Sequence, residues 1–319
     1  MSTLPLFEEP GAFDRAALRD RLAALASEGV FLGTSSWKYP GWLDQIYSRE
    51  NYVTRGRFSQ KRFEAECLRE YASIFPVVCG DFSFYQFPSA EFWQRLFRTT
   101  PEPLRFAFKI PEEITVKLFP THPRYGVRGG GANDSFLNAE LLKHAFLDLL
   151  APYRERVAVL IFEFGSFPKQ AFRDAGELAA ALNPFLAALP AEFRYAVEIR
   201  NPEFLEPEYF TCLREHGMAH VFSAWTRMPE LPEQVEIADA FTAGFTVVRA
   251  LLRRGRPYEE AVKSFSPYIQ VQDLNMGARQ AIGGLIVRAR SLREPSYIYV
   301  NNRLEGNAPD TIRGIVDGL

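Results

Sequence analysis

The segment RYAVEIR, residues 194–200, holds the pair of residues best suited to catalysis. Glu198 and Arg200 stand two positions apart, and in an extended strand such residues point to the same side. A carboxylate beside a guanidinium can act as a general acid or base next to an anion-binding group. The same two residues could instead form a structural ion pair. We favour a catalytic role for Glu198 and a substrate-binding role for Arg200, because ionic residues also end other apolar segments.

Three of these other ionic residues also have side chains suited to acid–base chemistry or ion binding. Asp81 follows VVCG, Lys109 ends FAFK, and Glu163 ends VLIFE. A lysine can hold a phosphate or a carboxylate, or act as a base when it is desolvated. We predict catalytic roles for Lys109 and Asp81 and a substrate-binding role for Glu163. Lys109 could equally be a buried countercharge to Glu163 or Glu198.

Polar and aromatic residues at the remaining segment ends are candidate substrate contacts. The segment GTSSWKYPGW, residues 33–42, combines hydroxyl groups with aromatic rings directly after an apolar run, and Trp225 ends a later one. Such rings can stack on a base or a sugar, or they can plug the space between loops. The predicted substrate-binding residues are Trp37, Tyr39, Tyr85, Glu163, Arg200, Arg249, Asn301 and Asn302.

Neither a metal nor a cofactor is expected from the motifs. The histidines lack ligand-like spacing, although Asp81, Glu163 and Glu198 together have the chemistry to bind a divalent cation. No predicted strand is followed by a G-x-G-x-x-G turn, and no phosphate-binding P-loop or Ser-His-Asp order is present.

Composition narrows the class of protein and of partner. The chain has 319 residues, is 47% hydrophobic and 24% charged, and carries a net charge of -2. These values are typical of a globular protein, and they favour neither nucleic acid nor a membrane as partner. The N-terminus lacks the basic and apolar regions of a signal peptide, and the three cysteines are widely spaced. We therefore expect a cytoplasmic protein with reduced thiols; no pattern indicates an oligomeric state.

Strands and helices alternate along the chain and must position these residues. Helical patterns separate most of the predicted strands, which is typical of parallel strands with right-handed crossovers. Eight such units predict an irregular TIM-type (β/α)8 barrel over 30–319, preceded by a helical extension over 1–29 with its helix at 12–28. A doubly wound open sheet is the alternative. The predicted strands are 30–35, 77–82, 105–110, 157–163, 194–199, 220–224, 245–250 and 297–301.

Strand alternation predicts which side chains enter the barrel. In FAFKI, Phe106 and Phe108 face the helices whereas Ala107 and Lys109 face the interior. The same reasoning directs Glu198, Arg200 and Asn301 inward. Because sites in such barrels lie at the C-terminal strand ends, these side chains are expected to share one cavity.

Six segments carry a resemblance to a known family: GTSSWKYPGW, FSFYQFPS (82–89), FAFKIPEEIT (106–115), VLIFEF (159–164), RYAVEIRNPEFL (194–205) and YIYVNN (297–302). In this order they resemble the motifs of the domain of unknown function 72 family, also called YecE-like. The resemblance implies an irregular eight-stranded β/α barrel with a polar cavity at its C-terminal end, and a biochemical role that is not established. Family residues match Trp37, Tyr39, Trp42, Tyr85, Lys109, Glu198, Arg200, Asn301 and Asn302.

The chain departs from this family where histidines are common. Val116 follows Thr115, and Ala250, Leu251 and Leu252 follow Arg249. These departures argue against a mechanism that needs a histidine base.

Two basic segments follow strands and are therefore expected on the site side of the barrel. One is residues 117–134, a candidate lid, and the other contains Arg253, Arg254 and Arg256. Together these features predict an enzyme-like site for a polar, anionic small molecule or a phosphate-bearing fragment, with hydrolase or lyase chemistry. The alternative is a non-catalytic module that binds a ligand or nucleic acid.

Overall fold

Eight parallel strands close into a barrel, which confirms the predicted TIM-type fold. The computed structural model describes residues 13–237 and 239–319. Consecutive strands pair with each other, and β1 closes the barrel by pairing with both β2 and β8. The barrel strands are β1 (Val30–Thr34), β2 (Val77–Gly80), β3 (Arg105–Lys109), β4 (Val157–Glu163), β5 (Tyr195–Glu198), β6 (Ala219–Ala224), β7 (Thr246–Ala250) and β8 (Ser296–Val300).

Helices pack around the barrel between its strands. The helical segment between β3 and β4 is interrupted by a π-helical turn, Lys143–Leu147, which lies between Ala139–Leu142 and Asp148–Leu150. The α-helices of five or more residues are Arg15–Ser27, Gln60–Ala72, Ala90–Thr99, Ala175–Ala187, Pro207–Glu215, Leu231–Val235, Tyr258–Phe265, Met276–Leu292 and Ala308–Asp317.

The helix Arg15–Ser27 corresponds to the predicted helix 12–28 of the N-terminal extension. Asp14 begins it, because its carboxylate accepts a hydrogen bond of 2.9 Å from the backbone N–H of Ala17. Residues 1–12 of the predicted extension lie outside the described residues. The division between an extension over 1–29 and a barrel over 30–319 stays a prediction.

The barrel interior and the helix layer take alternate residues of each strand. Ala107 packs inside the barrel with Val77, Cys79 and Tyr299, whereas Phe106 and Phe108 pack in the outer core. The ring of Phe108 lies 4.9 Å from that of Trp93, on the helix Ala90–Thr99. Apolar residues thus fill the interior on the side of the N-terminal strand ends. Polar side chains are concentrated at the C-terminal mouth.

Several short elements lack a signal in the sequence. The helix Tyr258–Phe265 has 8 residues, which is roughly two turns and too short for a clear helical period. The helices Glu112–Thr115 and Asn302–Glu305 and the hairpin Val53–Thr54 with Arg57–Phe58 are shorter still. Two of these elements, Tyr258–Phe265 and Asn302–Glu305, contribute residues to the barrel mouth.

His220 on β6 is buried against the helix Pro207–Glu215. Its largely apolar surroundings differ from those of a metal ligand or a catalytic base. Its Nδ1 lies 3.2 Å from the hydroxyl of Tyr209, and the rings of Phe210 and Phe222 pack on it. Burial lowers the pKa of His220 from 6.5 to about 3. Because the folded pKa is lower than the unfolded one, the unfolded state takes up the proton first, and stability falls as the pH drops from 6.5 towards 3.

We therefore expect His220→Phe to reduce the acid sensitivity of the fold. Between about pH 7.5 and about pH 5 the wild type should lose roughly 2 kcal/mol through this residue, at about 1.4 kcal/mol per pH unit below 6.5. The free energy of unfolding, measured by urea titration at both pH values, should fall by that much less in His220→Phe. The exposed His122, changed to Gln, is the control and should keep the wild-type pH dependence. Equal losses in wild type and His220→Phe would contradict this assignment.

Candidate functional site

Six charged side chains meet at the C-terminal end of the barrel, where strands β2, β3, β4, β5 and β7 end. The charged cluster consists of Asp81, Lys109, Glu163, Glu198, Arg200 and Arg249. Each lies at or within two residues of the C-terminal end of an apolar strand, so local sequence places it at the mouth rather than in the apolar interior.

Glu163 is the centre of the charged cluster. Its Oε2 accepts hydrogen bonds from Lys109 Nζ, at 3.2 Å, and from Arg249 Nη1. Its Oε1 lies 2.9 Å from Arg200 Nη2. Burial alone would raise the pKa of this carboxyl, but the cations Arg200, Lys109 and Arg249 hold it well below its usual value. Glu163 is therefore ionised at neutral pH.

Glu198 lies beneath the mouth and is fully buried. Its carboxylate accepts hydrogen bonds from Arg249 Nη1 and, at 2.9 Å, from Ser223 Oγ. Arg200 Nε lies 3.4 Å from the same carboxylate. The sequence predicts Glu198 as the catalytic acid or base, but in this structure its oxygens are occupied by these three donors and do not line the cavity at the mouth.

The cluster balances three cations with three carboxylates. Burial alone would lower the pKa of Lys109, but Glu163 and Asp81 raise it above its usual value. Burial would likewise lower the pKa of Arg249, and Glu198 and Glu163 raise it well above its usual range. Lys109 and Glu163 thus both stay charged near neutral pH, and neither is poised to exchange a proton there.

A cavity of about 150 Å³ lies directly above the charged cluster. A larger cavity of about 640 Å³ lies between the helices Arg15–Ser27 and Ala308–Asp317 and contains none of the predicted site residues. The mouth cavity is the one at the strand ends, where barrel sites are found. Predicted residues that line it are Asp81, Tyr85, Lys109, Glu163, Arg200, Arg249 and Asn301.

The other predicted substrate contacts lie outside this cavity. Trp37 is buried and packs edge-on against Phe82. Tyr39 packs against Trp42, with ring centroids 5.0 Å apart. Asn302 accepts hydrogen bonds from Trp42 Nε1, at 3.1 Å, and from the backbone N–H of Ala308, at 2.8 Å. Through these contacts, Trp37, Tyr39 and Asn302 pack between the loops beside the mouth.

Two aromatic or charged residues of the cavity, Tyr258 and Arg303, were not singled out as site residues in the sequence, and neither was the apolar Leu251. Arg303 directly follows the paired asparagines, so the polar strand end itself was an available signal. Tyr258 begins the short helix after β7, for which no pattern was visible. The cavity also contains Ser35, the last residue of the predicted strand 30–35, and Trp225, which follows the predicted strand 220–224.

Arginine and aromatic side chains form stacked pairs around the mouth. The guanidinium carbon of Arg200 lies 3.9 Å from the ring centroid of Trp225. That of Arg303 lies 4.5 Å from the Tyr258 ring. Arg124, from the segment 117–134, lies 5.0 Å from the Tyr85 ring. Cation–aromatic contacts of this kind favour guanidinium groups placed over the ring face.

The two basic segments carry less free charge than the sequence indicates. In 117–134, Arg124 and Arg128 form ion pairs with acidic residues of the helix Glu112–Thr115. After β7, Arg254 pairs with Glu233, while Asp273 pairs with both Arg253 and Arg256. The positive charge of these five arginines is therefore compensated locally.

Within residues 13–237 and 239–319, no group of three or more His, Cys, Asp or Glu side chains is arranged to hold a metal ion. The carboxylates of the charged cluster are instead engaged with cations. No helix in the same ranges is long and apolar enough to cross a membrane.

Comparison with known proteins gives a family and curated relatives. The family described as "Protein of unknown function DUF72" matches residues 31–319. The UPF0759 protein YecE of Escherichia coli strain K12 is 27% identical over 177 residues, which is 55% of this chain and 50% of the relative. The same protein of Escherichia coli O157:H7 matches equally. The chain thus spans about half the length of the curated relatives it matches.

Solved structures agree with this assignment at the level of the fold. A DUF72 family protein from Thermotoga maritima has a TM-score of 0.60 and 18% identity, with 91% of this chain and 98% of that chain covered. A DUF72 family protein from Enterococcus faecalis has a TM-score of 0.56 and 18% identity, with 90% and 95% covered. Because the family matches nearly the whole barrel and its solved members share the fold, this chain belongs to the DUF72 family of proteins of unknown function.

Proposed function

We propose that the mouth cavity binds a small, polar, anionic molecule and that the protein is an enzyme of the hydrolase or lyase class. The observation that carries the proposal is the buried charged cluster under the cavity. Desolvating ions costs free energy, and well-packed apolar residues of the same volume are often as stabilising. Stability alone therefore gives no reason to place six ionic side chains at this end of the barrel.

The chemistry of the cavity walls favours a polar anion. Arg200 is only partly buried, with 14% of its side chain exposed, and its neighbour Arg303 has no carboxylate partner among the described residues. The hydroxyl of Ser35 and the amide of Asn301 add hydrogen-bonding groups. Charged hydrogen bonds to carboxylate or phosphate are the strong ones in such sites.

Asp81 is the residue of the cluster best placed to transfer a proton. Its side chain is 43% exposed, whereas those of Glu163 and Glu198 are 6% and 0% exposed. Its Oδ1 lies 3.2 Å from Lys109 Nζ, which would stabilise negative charge that develops on a substrate. Hydrolysis and elimination both begin with a base that removes a proton, from water or from carbon. We assign the base to Asp81 and the charge-stabilising role to Lys109.

The alternative of a nucleic-acid-binding module receives less support. Such modules rely on cations that are free to contact phosphates. Arg124, Arg128, Arg253, Arg254 and Arg256 are each paired with a carboxylate of the chain itself. We also infer a cytoplasmic location, because Cys67, Cys79 and Cys212 are all free and buried.

Anion titration tests the proposal. Removing the Arg200 charge leaves the cluster with one excess carboxylate, so Arg200→Met should weaken binding of inorganic phosphate and of acetate by about tenfold or more, measured by calorimetry. Methionine keeps an unbranched stem against Trp225. The control Arg290→Met removes a surface partner of Glu28 and should leave binding unchanged. Thermal unfolding reports separately whether the variant is folded. Equal anion affinities in wild type and folded Arg200→Met would overturn the proposal.

A further inference from the structure

Arg303 is the charged cavity residue that has no ionic partner among the described residues. Each other cation of the cavity, namely Lys109, Arg200 and Arg249, contacts a carboxylate. In residues 13–237 and 239–319, no carboxylate lies within 4.0 Å of the Arg303 guanidinium. Its Nε is buried and has no hydrogen-bond partner there. Buried donors without a partner are uncommon in native proteins and call for one.

The surroundings of Arg303 hold the guanidinium without neutralising it. The Tyr258 ring stacks on it at 4.5 Å, and the phenols of Tyr39 and Tyr268 lie nearby. Burial raises the pKa of both phenols, so they are neutral at physiological pH. The backbone N–H of Arg303 donates to Asn301 Oδ1 at 2.9 Å, which anchors the start of the helix Asn302–Glu305.

Groups that would receive the rest of a ligand lie beside Arg303. Asn301 Nδ2 donates to Ser35 Oγ at 2.5 Å, between Arg303 and the end of β2. There Asp81 offers a partly exposed carboxylate, which is an acceptor only, so a hydroxyl group of a ligand would complement it. Strands β8 and β2 are separated by β1 alone, which is roughly 10 Å at the usual strand spacing, and the side chains shorten that distance.

Charge and size together select the anion. The charged cluster is neutral overall, so the excess charge in the cavity is the single positive charge of Arg303. One carboxylate would balance it, whereas a phosphomonoester dianion would leave a negative excess over buried carboxylates. The volume of about 150 Å³ corresponds to roughly five water molecules, which suits a ligand of very few carbons.

We propose that Arg303 binds the carboxylate of a short hydroxycarboxylic acid whose hydroxyl group donates a hydrogen bond to Asp81. This inference rests on the proposed function of the cavity and names the chemical class of its ligand. Tyr258 acts as a positioning residue, because its ring fixes the plane of the guanidinium.

Four three-carbon probes separate the elements of the inference: glycerate, propionate, glycerol and glycerol 3-phosphate. Binding to the full chain is measured by calorimetry or by ligand-observed magnetic resonance. Glycerate should bind about tenfold more tightly than propionate, which lacks hydroxyl groups, and than glycerol, which lacks the charge. It should also bind more tightly than glycerol 3-phosphate. A preference for the phosphate, or equal binding of glycerate and propionate, would overturn the assignment of the ligand class.

Substitution of Arg303 tests whether this residue binds the carboxylate. Arg303→Met should weaken glycerate binding by about tenfold or more, to the level of glycerol, and Arg303→Lys should weaken it less. Arg290→Met is the charge-matched control at the opposite end of the barrel. Unchanged glycerate binding in folded Arg303→Met, with weakened binding in Arg200→Met, would overturn the role of Arg303 and leave the proposed function intact. If phosphate, acetate and glycerate all fail to bind the wild type, the proposed function itself is wrong.

A crystal structure of the wild type with glycerate covers the case in which Arg303→Met does not fold. The carboxylate is expected within hydrogen-bond distance of the Arg303 guanidinium, with a hydroxyl group beside Asp81. A carboxylate placed on Lys109 or Arg200 instead, away from Arg303, would overturn the inference.

Discussion

Glu163→Gln is expected to destabilise the fold by about 3–5 kcal/mol, the usual cost of removing one partner from a buried ion-pair network. Glutamine preserves the size of the side chain but not its charge. Lys109, Arg200 and Arg249 would then share the remaining carboxylates, so the buried layer would carry a net positive charge. Urea unfolding at neutral pH, followed by circular dichroism, measures the loss.

A matched control and a double variant distinguish this effect from ordinary mutational damage. Glu294→Gln breaks a half-exposed pair with Arg288 and should cost at most about 1 kcal/mol. Adding Lys109→Met to Glu163→Gln removes a cation as well. The loss of unfolding free energy in the double variant should therefore be smaller, by about 1 kcal/mol or more, than the sum of the losses in the two single variants. A Glu163→Gln protein as stable as Glu294→Gln, or strictly additive losses, would show that the cluster is not electrostatically coupled.

Gly33→Ala is expected to cost about 3 kcal/mol, the upper end of the range for overpacking, and to disturb the pairing of β1 with β2. A Cβ atom at Gly33 would lie 1.8 Å from the backbone oxygen of Val77 on β2. That oxygen also accepts a hydrogen bond of 3.0 Å from the hydroxyl of Tyr71, which in turn accepts one of 2.8 Å from the N–H of Thr34. Neither backbone can move without breaking these contacts.

Gly284→Ala provides the opposite outcome within the same chain. Gly284 lies on the exposed side of the helix Met276–Leu292, and a Cβ there would meet nothing within 4 Å. Alanine favours helix over glycine, so this variant should gain up to about 1 kcal/mol. Thermal and urea unfolding of both variants tests the pair. If Gly33→Ala is as stable as the wild type, the close approach of β1 to β2 is relaxed in solution.

The barrel and the direction of its strand side chains were accessible from sequence. FAFK alternates because successive residues of any strand face opposite sides, so Ala107 and Lys109 had to share one side and Phe106 and Phe108 the other. Parallel strands also bring their C-terminal ends together. The approximate positions of Lys109, Arg200 and Asn301 at one mouth therefore follow from local rules applied strand by strand.

The partners of those side chains were decided by the tertiary structure alone. Sequence reasoning gave Glu198 a catalytic role or a place in an ion pair, but it could not show that Ser223 and Arg249 donate to its carboxylate. It placed the basic segments on the site side of the barrel, but it could not show that nearby acids pair with their arginines. It also missed Tyr258, because a helix of 8 residues leaves too short a pattern. Alternation in a strand depends on neighbouring residues along the chain, whereas charge pairing depends on distances between residues far apart in it. Those distances exist only after the barrel closes, and closure is what leaves Arg303 at the mouth without a carboxylate partner among residues 13–237 and 239–319.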